Sequence, residues 1–284
     1  MVALDYGMWA HQKERYLEVE GVADALGVKT DRLLAINFIY EMIAYCTSLI
    51  GRDEDGTVML FRTLDFSAPE FLKKTSYVGE FYKGGKKLYS CVLFGGALNC
   101  ATAFKEDKFA ISLNQRSPSG MKDPTSFLAN IGYISNGTPQ VSSVIRDALE
   151  NCDDYQCAYN KLTKAKISGS AYYIIAGINK DEGAVITRSP EGALNVAALS
   201  DTKWYLVETN EDHYQGACSS RCRTANENFE KLTQSRLTKE TGLTEVLQQA
   251  PNLNVLSIYH SVMVPKTGYF KSFLANGTVT PDDF

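Results

Sequence analysis

Cys46, Arg62 and Asp65 are the residues whose types and spacing most directly suggest chemistry. They sit on two apolar, strand-like runs, Cys46–Arg52 and Thr57–Phe66, joined by the turn Asp53-Glu54-Asp55-Gly56. If the hairpin folds about that turn, positions summing to about 109 face each other, which sets Cys46 opposite residue 63 and brings Arg62 and Asp65 close. A positive neighbour lowers the pKa of a thiol and favours the nucleophilic thiolate, and Arg62 can supply that charge. What the trio lacks is a proton acceptor. A cysteine that became a chain terminus would carry its own base, because an α-amine titrates at ~7.7–8.0. Asp65 could then orient that amine. Spacing alone favours a plainer arrangement, a buried cysteine at a strand start beside a structural Arg62–Asp65 ion pair.

Other chemistries find little material. The chain has three histidines, His11, His213 and His260, too few for most triads or metal centres. His213 lies near Cys218 and Cys222, but the spacing fits no usual zinc finger, so a structural cysteine pair beside a surface histidine is expected. Gly79–Lys87 resembles a phosphate loop only superficially: Gly85 stands where the lysine should follow Gly84, and no Ser or Thr follows the lysines. Neither Gly-x-Ser-x-Gly nor His-Glu-x-x-His occurs. No metal and no cofactor are expected.

The elements that must position these residues read as one α+β domain over 1–284, without repeats or a Pro-rich linker. Residues 12–45 read as helical, with Gly27 as a stop and Thr30 as a cap. Strand-like runs follow at Leu88–Phe94, Ala97–Phe104, Lys108–Asn114, Ala171–Ile178, Ala184–Arg188, Trp204–Thr209 and Val255–Val264. Pro139–Glu150, Tyr155–Ala165 and Leu243–Gln249 read as helices. Tyr172, Tyr173 and Trp204 read as core aromatics. The 284 residues carry 29 Lys+Arg against 33 Asp+Glu, a net charge of −4, which argues against a general nucleic-acid binder. The longest apolar candidate, Leu33–Tyr45, is too short to span a bilayer.

Six of the seven cysteines fall in close pairs, 91/100, 152/157 and 218/222, and leave Cys46 alone. If Gly95-Gly96 forms a two-residue hairpin loop, Cys91 and Cys100 face each other closely enough for a disulfide; two buried thiols are the alternative. Asn136-Gly-Thr138 and Asn276-Gly-Thr278 are glycosylation sequons. Met1–Ala10 shows no basic stretch followed by an apolar one, so either the protein is cytosolic or a leader has been removed.

Cys46-Thr-Ser-Leu-Ile50, preceded by Phe38-Ile-Tyr-Glu41, and Arg62-Thr-Leu-Asp65-Phe66 resemble the cleavage-site region of the family of acid ceramidase and N-acylethanolamine acid amidase. Ser112-Leu-Asn-Gln-Arg116, Gly183–Arg188, Trp204–Asn210, Arg223-Thr224-Ala225 and Leu256–Tyr259 continue the match in order, so that it covers about Leu17 to Phe273. The resemblance implies an N-terminal-nucleophile hydrolase of four-layer αββα architecture that cuts itself between Tyr45 and Cys46. The products would be an α-chain of residues 1–45 and a β-chain of 46–284. It further implies Cys46 as nucleophile, Arg62 and Asp65 beside it, Asn210 at the oxyanion and Arg223 as a second active-site arginine. Asn114 and Gln115 fall at substrate-binding positions.

Two departures stand out. Thr63 replaces the family's asparagine, and Gln115 replaces the glutamate of acid ceramidase. The other cysteines do not follow the ceramidase pattern. The expected substrate is an N-acyl lipid, ceramide first, met at a transient membrane or lipid-carrier surface in a lysosomal or secreted setting, with no nucleic-acid partner. Alternatives are an N-acylethanolamine acid amidase, a bile-salt or penicillin-type amide hydrolase, and an inactive lipid-binding homologue.

Overall fold

A computed structural model describes residues 12–39, 44–116, 130 and 132–279. Two antiparallel sheets form its centre. The smaller has the order β10-β1-β2-β11-β12, built from Tyr205–Glu208, Ala44–Arg52, Val58–Phe66, Ser257–Val264 and Tyr269–Leu274. The larger runs β3 to β9 in sequence order: Tyr77–Lys83, Lys86–Leu93, Thr102–Lys105, Phe109–Gln115, Ala171–Ala176, Gly183–Ser189 and Gly192–Ala198. Helices α1 (Lys13–Leu26) and α2 (Thr30–Ile39) precede β1, and α3 (Pro69–Thr75) follows β2. Helices α4 (Val141–Asn151) and α5 (Tyr155–Lys164) follow β6, and α6 (Ser220–Leu232) follows β10.

The alternation of side chains along the strands explains the layering. On one face Ile50, Leu60 and Met263 of the smaller sheet meet Phe104, Ala110, Tyr172, Ile174 and Val185 of the larger. The intervening residues of the larger sheet, Ala103, Ile111, Tyr173, Ile175 and Ile186, pack under α4 and α5. Helix α4 presents Val141, Val144, Ile145, Ala148 and Leu149 to them at helical spacing. Across the smaller sheet, Leu49, Phe61 and Val262 pack under α6, through Ala225, Phe229 and Leu232, and under the π-helical turn Gly242–Leu247. The result is the expected αββα sandwich. Every residue of β2 is buried because both faces of its sheet are covered.

The hairpin that carries Cys46 forms as the sequence suggests, with one correction. Asp53–Thr57 make a five-residue loop, in which Asp53 Oδ1 accepts the Thr57 N–H at 2.7 Å and Gly56 takes a φ of 79°. An odd loop shifts the register by one, so Cys46 pairs with Leu64, Ser48 with Arg62 and Tyr45 with Asp65. A one-residue shift moves side chains to the other face. Arg62 therefore shares the inter-sheet face with Cys46, and Asp65 lies on the opposite face of the sheet.

Other expectations also change. The helical run 12–45 ends before Ala44, which begins β1. Ala97–Phe104 is a strand only from Thr102, and Cys91 pairs with Ala103 rather than with Cys100. The Cys91–Cys100 disulfide is nevertheless present, spanning a loop rather than a hairpin, alongside Cys152–Cys157 and Cys218–Cys222. Cys46 is the cysteine of the described residues that forms no disulfide. Gly27 ends α1 in the left-handed conformation, as read from the sequence. No helix of the described residues is long and apolar enough to cross a membrane.

Candidate active site

Cys46 lies near the start of β1, fully buried, at the end of the sandwich where the two sheets meet. Its Sγ is 3.1 Å from Arg62 Nη2 and 3.8 Å from the Leu113 carbonyl oxygen. Arg62 sits on the same face two positions along the ladder, so sheet geometry delivers its guanidinium to the sulfur. A buried arginine needs its donors held. Arg62 Nη1 donates to Asn114 Oδ1 at 2.8 Å, and Ser48 Oγ donates to the same oxygen at 2.7 Å. Asn114 Nδ2 in turn donates to the carbonyls of Glu208 and Thr209, at 3.0 and 2.7 Å. Both polar atoms of the Asn114 side chain are thus engaged by protein partners, Arg62 among them.

The backbone side of Cys46 is held as closely. Asn210 stands two residues past β10, which pairs with β1. Its Oδ1 accepts the Cys46 N–H at 2.9 Å, while Nδ2 donates to the Gln115 carbonyl at 2.9 Å and reaches the Ala44 carbonyl at 3.4 Å. Gln115 Oε1 accepts the Ala44 N–H at 2.7 Å. Tyr45, Gln115 and Asn210 are half-buried, so the site opens on this side.

Asp65 occupies the other face of β2. Its Oδ1 accepts from Ser257 Oγ at 2.6 Å and its Oδ2 from Asn254 Nδ2 at 2.9 Å. Burial pushes its carboxyl up to about 6, an effect offset only in part by Arg221, these two hydrogen bonds and Arg62. The loop that carries Asn254 lies under the chain's C-terminal segment. A Cβ on Gly277 would stand 2.0 Å from the Asn254 carbonyl oxygen, which explains glycine there.

The second arginine is Arg221, not Arg223. Arg223 is exposed, and its Nη1 donates to the Cys218 carbonyl, away from Cys46. Arg221 is buried. Its Nη1 donates to the Cys46 carbonyl at 3.0 Å and lies 4.0 Å from Asp65 Oδ2, and its Nη2 donates to Asn210 Oδ1 at 3.1 Å. One turn of α6 explains the exchange. Residues two apart on a helix point about 200° apart, at 3.6 residues per turn. The apolar stripe Cys222, Ala225, Phe229 and Leu232 turns position 221 inward and position 223 outward. In the sequence the polar residues Ser220, Arg221, Arg223 and Thr224 mask the start of that stripe, which is the signal for position 221.

This difference carries a prediction. Removing one partner of a buried ion pair leaves an uncompensated charge, so Arg221→Ala should lose about 3–5 kcal/mol of stability. Arg223→Ala should change it by less than about 0.5 kcal/mol, as at other exposed positions. Urea unfolding of both variants checks this, and equal midpoints would put Arg221 outside the site.

Taken together, a thiol next to a guanidinium, an amide nitrogen on an asparagine and a buried carboxyl bridged by a second arginine can support nucleophilic attack on a carbonyl. Among the described residues no His, Cys, Asp and Glu cluster could hold a metal ion.

No family model matches the chain. Acid ceramidase of Mus musculus is 30% identical over 282 residues, covering 90% of this chain and 69% of that protein. An N-acylethanolamine-hydrolyzing acid amidase of Caenorhabditis elegans is 30% identical over 277 residues, covering 90% and 76%. The solved structure of the Caenorhabditis elegans N-acylethanolamine-hydrolyzing acid amidase ortholog superposes with a TM-score of 0.73 at 29% identity, over 81% of this chain and all of that one.

Proposed function

The chain belongs to the family of acid ceramidases and N-acylethanolamine-hydrolyzing acid amidases, and from this premise we propose that it is an N-acyl lipid amidase whose nucleophile is Cys46, released by self-cleavage after Tyr45. The observation that carries the proposal is the double engagement of Cys46: Sγ against Arg62 and backbone N–H against Asn210. In maturation Sγ attacks the Tyr45 carbonyl carbon, the amide nitrogen takes the thiol proton and leaves, and water hydrolyses the thioester. Residue 45 then ends in a carboxylate and Cys46 begins with an amine. That amine accepts the Sγ proton during attack on the lipid amide and returns it to the departing amine. Water releases the fatty acid from the acyl-enzyme.

After the cut the α-chain stays docked through side chains already in place. Arg15 Nη2 contacts Glu150 at 2.7 Å, and Arg146 Nη2 meets Glu18 at 3.0 Å. Three disulfides and the exposed sequon asparagines Asn136 and Asn276 support an oxidising, secretory or lysosomal setting.

Ceramide is the leading substrate. N-acylethanolamines are the alternative; the side chains of Asn114 and Glu208 are both sealed inside the protein, and neither touches a headgroup. Fatty-acid release from ceramides and N-acylethanolamines, at pH 4.5 and 7.5, tests the assignment. Release from neither class at either pH would overturn it.

Asp65 gives a pH dependence whose sign is set by burial. Its raised value means that the folded chain holds a proton the unfolded chain releases. Stability from this group is full below the ordinary carboxylate range and falls as pH rises through about 6. Asp65→Asn should flatten this slope, measured as urea midpoints at pH 4 and 6.5. An unchanged slope would place its origin elsewhere.

A further inference from the structure

The carboxylate of Glu208 takes no part in the chemistry above, yet it lies fully buried between the sheets, on the face of β10 that looks across to Ser48. His213 Nδ1 is 2.6 Å from its Oε2. That contact lacks the alignment of a good hydrogen bond, and among the described residues neither carboxylate oxygen has another hydrogen-bond partner. The sequence suggested a surface histidine; instead His213 is half-buried and folds back over the edge strand.

The other charged groups around Glu208 are committed elsewhere or share its sign. Glu211 and Asp212 add negative charge from its own segment, and Tyr172 faces it from β7. Arg116, next after β6, is bidentate on Asp212 at 2.7 and 2.6 Å, and Tyr172 Oη donates to the same carboxylate at 2.8 Å. From β2, Arg62 is turned to Cys46 and Asn114; from α6, Arg221 is turned to the Cys46 carbonyl and Asn210. Among the described residues, His213 is left as the group that offsets Glu208.

The segment this contact closes is the one the site depends on. The carbonyls of Glu208 and Thr209 hold Asn114, and Asn210 receives the Cys46 N–H. We propose that Glu208 and His213 are positioning residues, a proton-dependent brace that closes the 208–213 segment and so holds Asn210 against Cys46 and Asn114 against Arg62; the role in catalysis rests on the amidase reading above. Burial is the first cause raising the Glu208 carboxyl, to about 7, with His213 lowering it in part. A raised carboxyl stabilises the fold fully below its ordinary range, and that stabilisation is lost as pH rises through about 7. Above that point a buried anion faces Glu211 and Asp212, and the brace loosens. The site is thereby held together best in acid.

The test uses two readouts on the full chain. In the uncleavable Cys46→Ala chain, exchange protection of amides 209–216, corrected for intrinsic pH dependence, should fall about tenfold between pH 5 and pH 7.5. Glu208→Gln, neutral and of the same shape, should abolish that fall. In the cleavable chain it should raise the ratio of self-cleavage rates at pH 7.5 and pH 5 about tenfold. Should Glu208→Gln fail to fold, His213→Ala provides the same test: its protection at pH 5 should drop to the level the parent reaches at pH 7.5. Protection that ignores pH in the parent, or that falls equally in the variants, overturns the brace. A chain that neither cleaves itself nor releases fatty acid overturns the amidase reading instead, and leaves the exchange contrast readable.

Discussion

Cys46→Ala should remain a single chain at every pH and release no fatty acid. In the proposed mechanism both reactions use the same sulfur, first against the Tyr45 carbonyl and then against the substrate amide. Arg62 Nη2 is placed 3.1 Å from Sγ, where it stabilises negative charge as it develops on the sulfur. Removing the nucleophile of an acyl-transfer enzyme costs on the order of 10⁶ in kcat, which here means no detectable turnover. The variant should still fold, because Arg62 keeps Asn114 and Ser48 and the vacated volume is a single sulfur atom. Intact-mass measurement after incubation at pH 4.5 is decisive. The wild-type chain should yield fragments ending at Tyr45 and starting at Cys46. Fragments of the same masses from Cys46→Ala, or an active wild-type enzyme that stays intact, would remove self-cleavage from the mechanism.

The second large effect is expected at Asn210. In the intact chain its Oδ1 holds the Cys46 N–H, and its Nδ2 is shared between Gln115 and the Ala44 carbonyl. In the proposed mechanism, cutting after Tyr45 would release the weaker Ala44 contact and leave Nδ2 able to donate to a substrate carbonyl. The carbonyl oxygen gains charge only during attack, so a side-chain amide aimed at it stabilises the transition state more than the bound substrate. Asn210→Ala should therefore lose ~10²–10³ in kcat, about 2.7–4 kcal/mol, with KM little changed. Maturation must be verified first, because loss of the Oδ1 contact also loosens the precursor. Fully matured Asn210→Ala with near-normal kcat would exclude an oxyanion role.

Much of the scaffold was legible because its signals are local. The β1–β2 hairpin follows from two apolar runs around Asp53–Gly56, and α4 and α5 follow from apolar residues at helical spacing. The elements that escaped notice share a cause. The strands β3, β9 and β12 lie at sheet edges with largely exposed side chains, and so lack the apolar alternation that marks an interior strand. Helix α6 opens with Ser220-Arg221-Cys222-Arg223-Thr224, whose polarity conceals the stripe that begins at Cys222. The Cys91–Cys100 disulfide is one of two outcomes the sequence leaves open, and it forms across a loop and not across the two-residue turn from which it was argued.

The sequence by itself marked the residues and, through the ordered motifs from Cys46-Thr-Ser-Leu-Ile50 to Leu256–Tyr259, the family they resemble. The spacing of Cys46, Arg62 and Asp65 alone fits a buried structural cysteine as readily as a nucleophile, and the amine base is what the resemblance implies. The tertiary structure decided which side chains attend that cysteine. Whether Asp65 or Arg62 shares its face turned on one residue of loop length, because side chains in a strand alternate at every step. Whether Arg221 or Arg223 reaches it turned on the rotation of a helix 175 residues away in sequence. Asn210 and Glu208 come to the site only because β10 adds to the edge of β1, a pairing across more than 150 residues for which no local pattern exists. Such contacts are set by how four layers share one core, and that sum is made only in the folded chain.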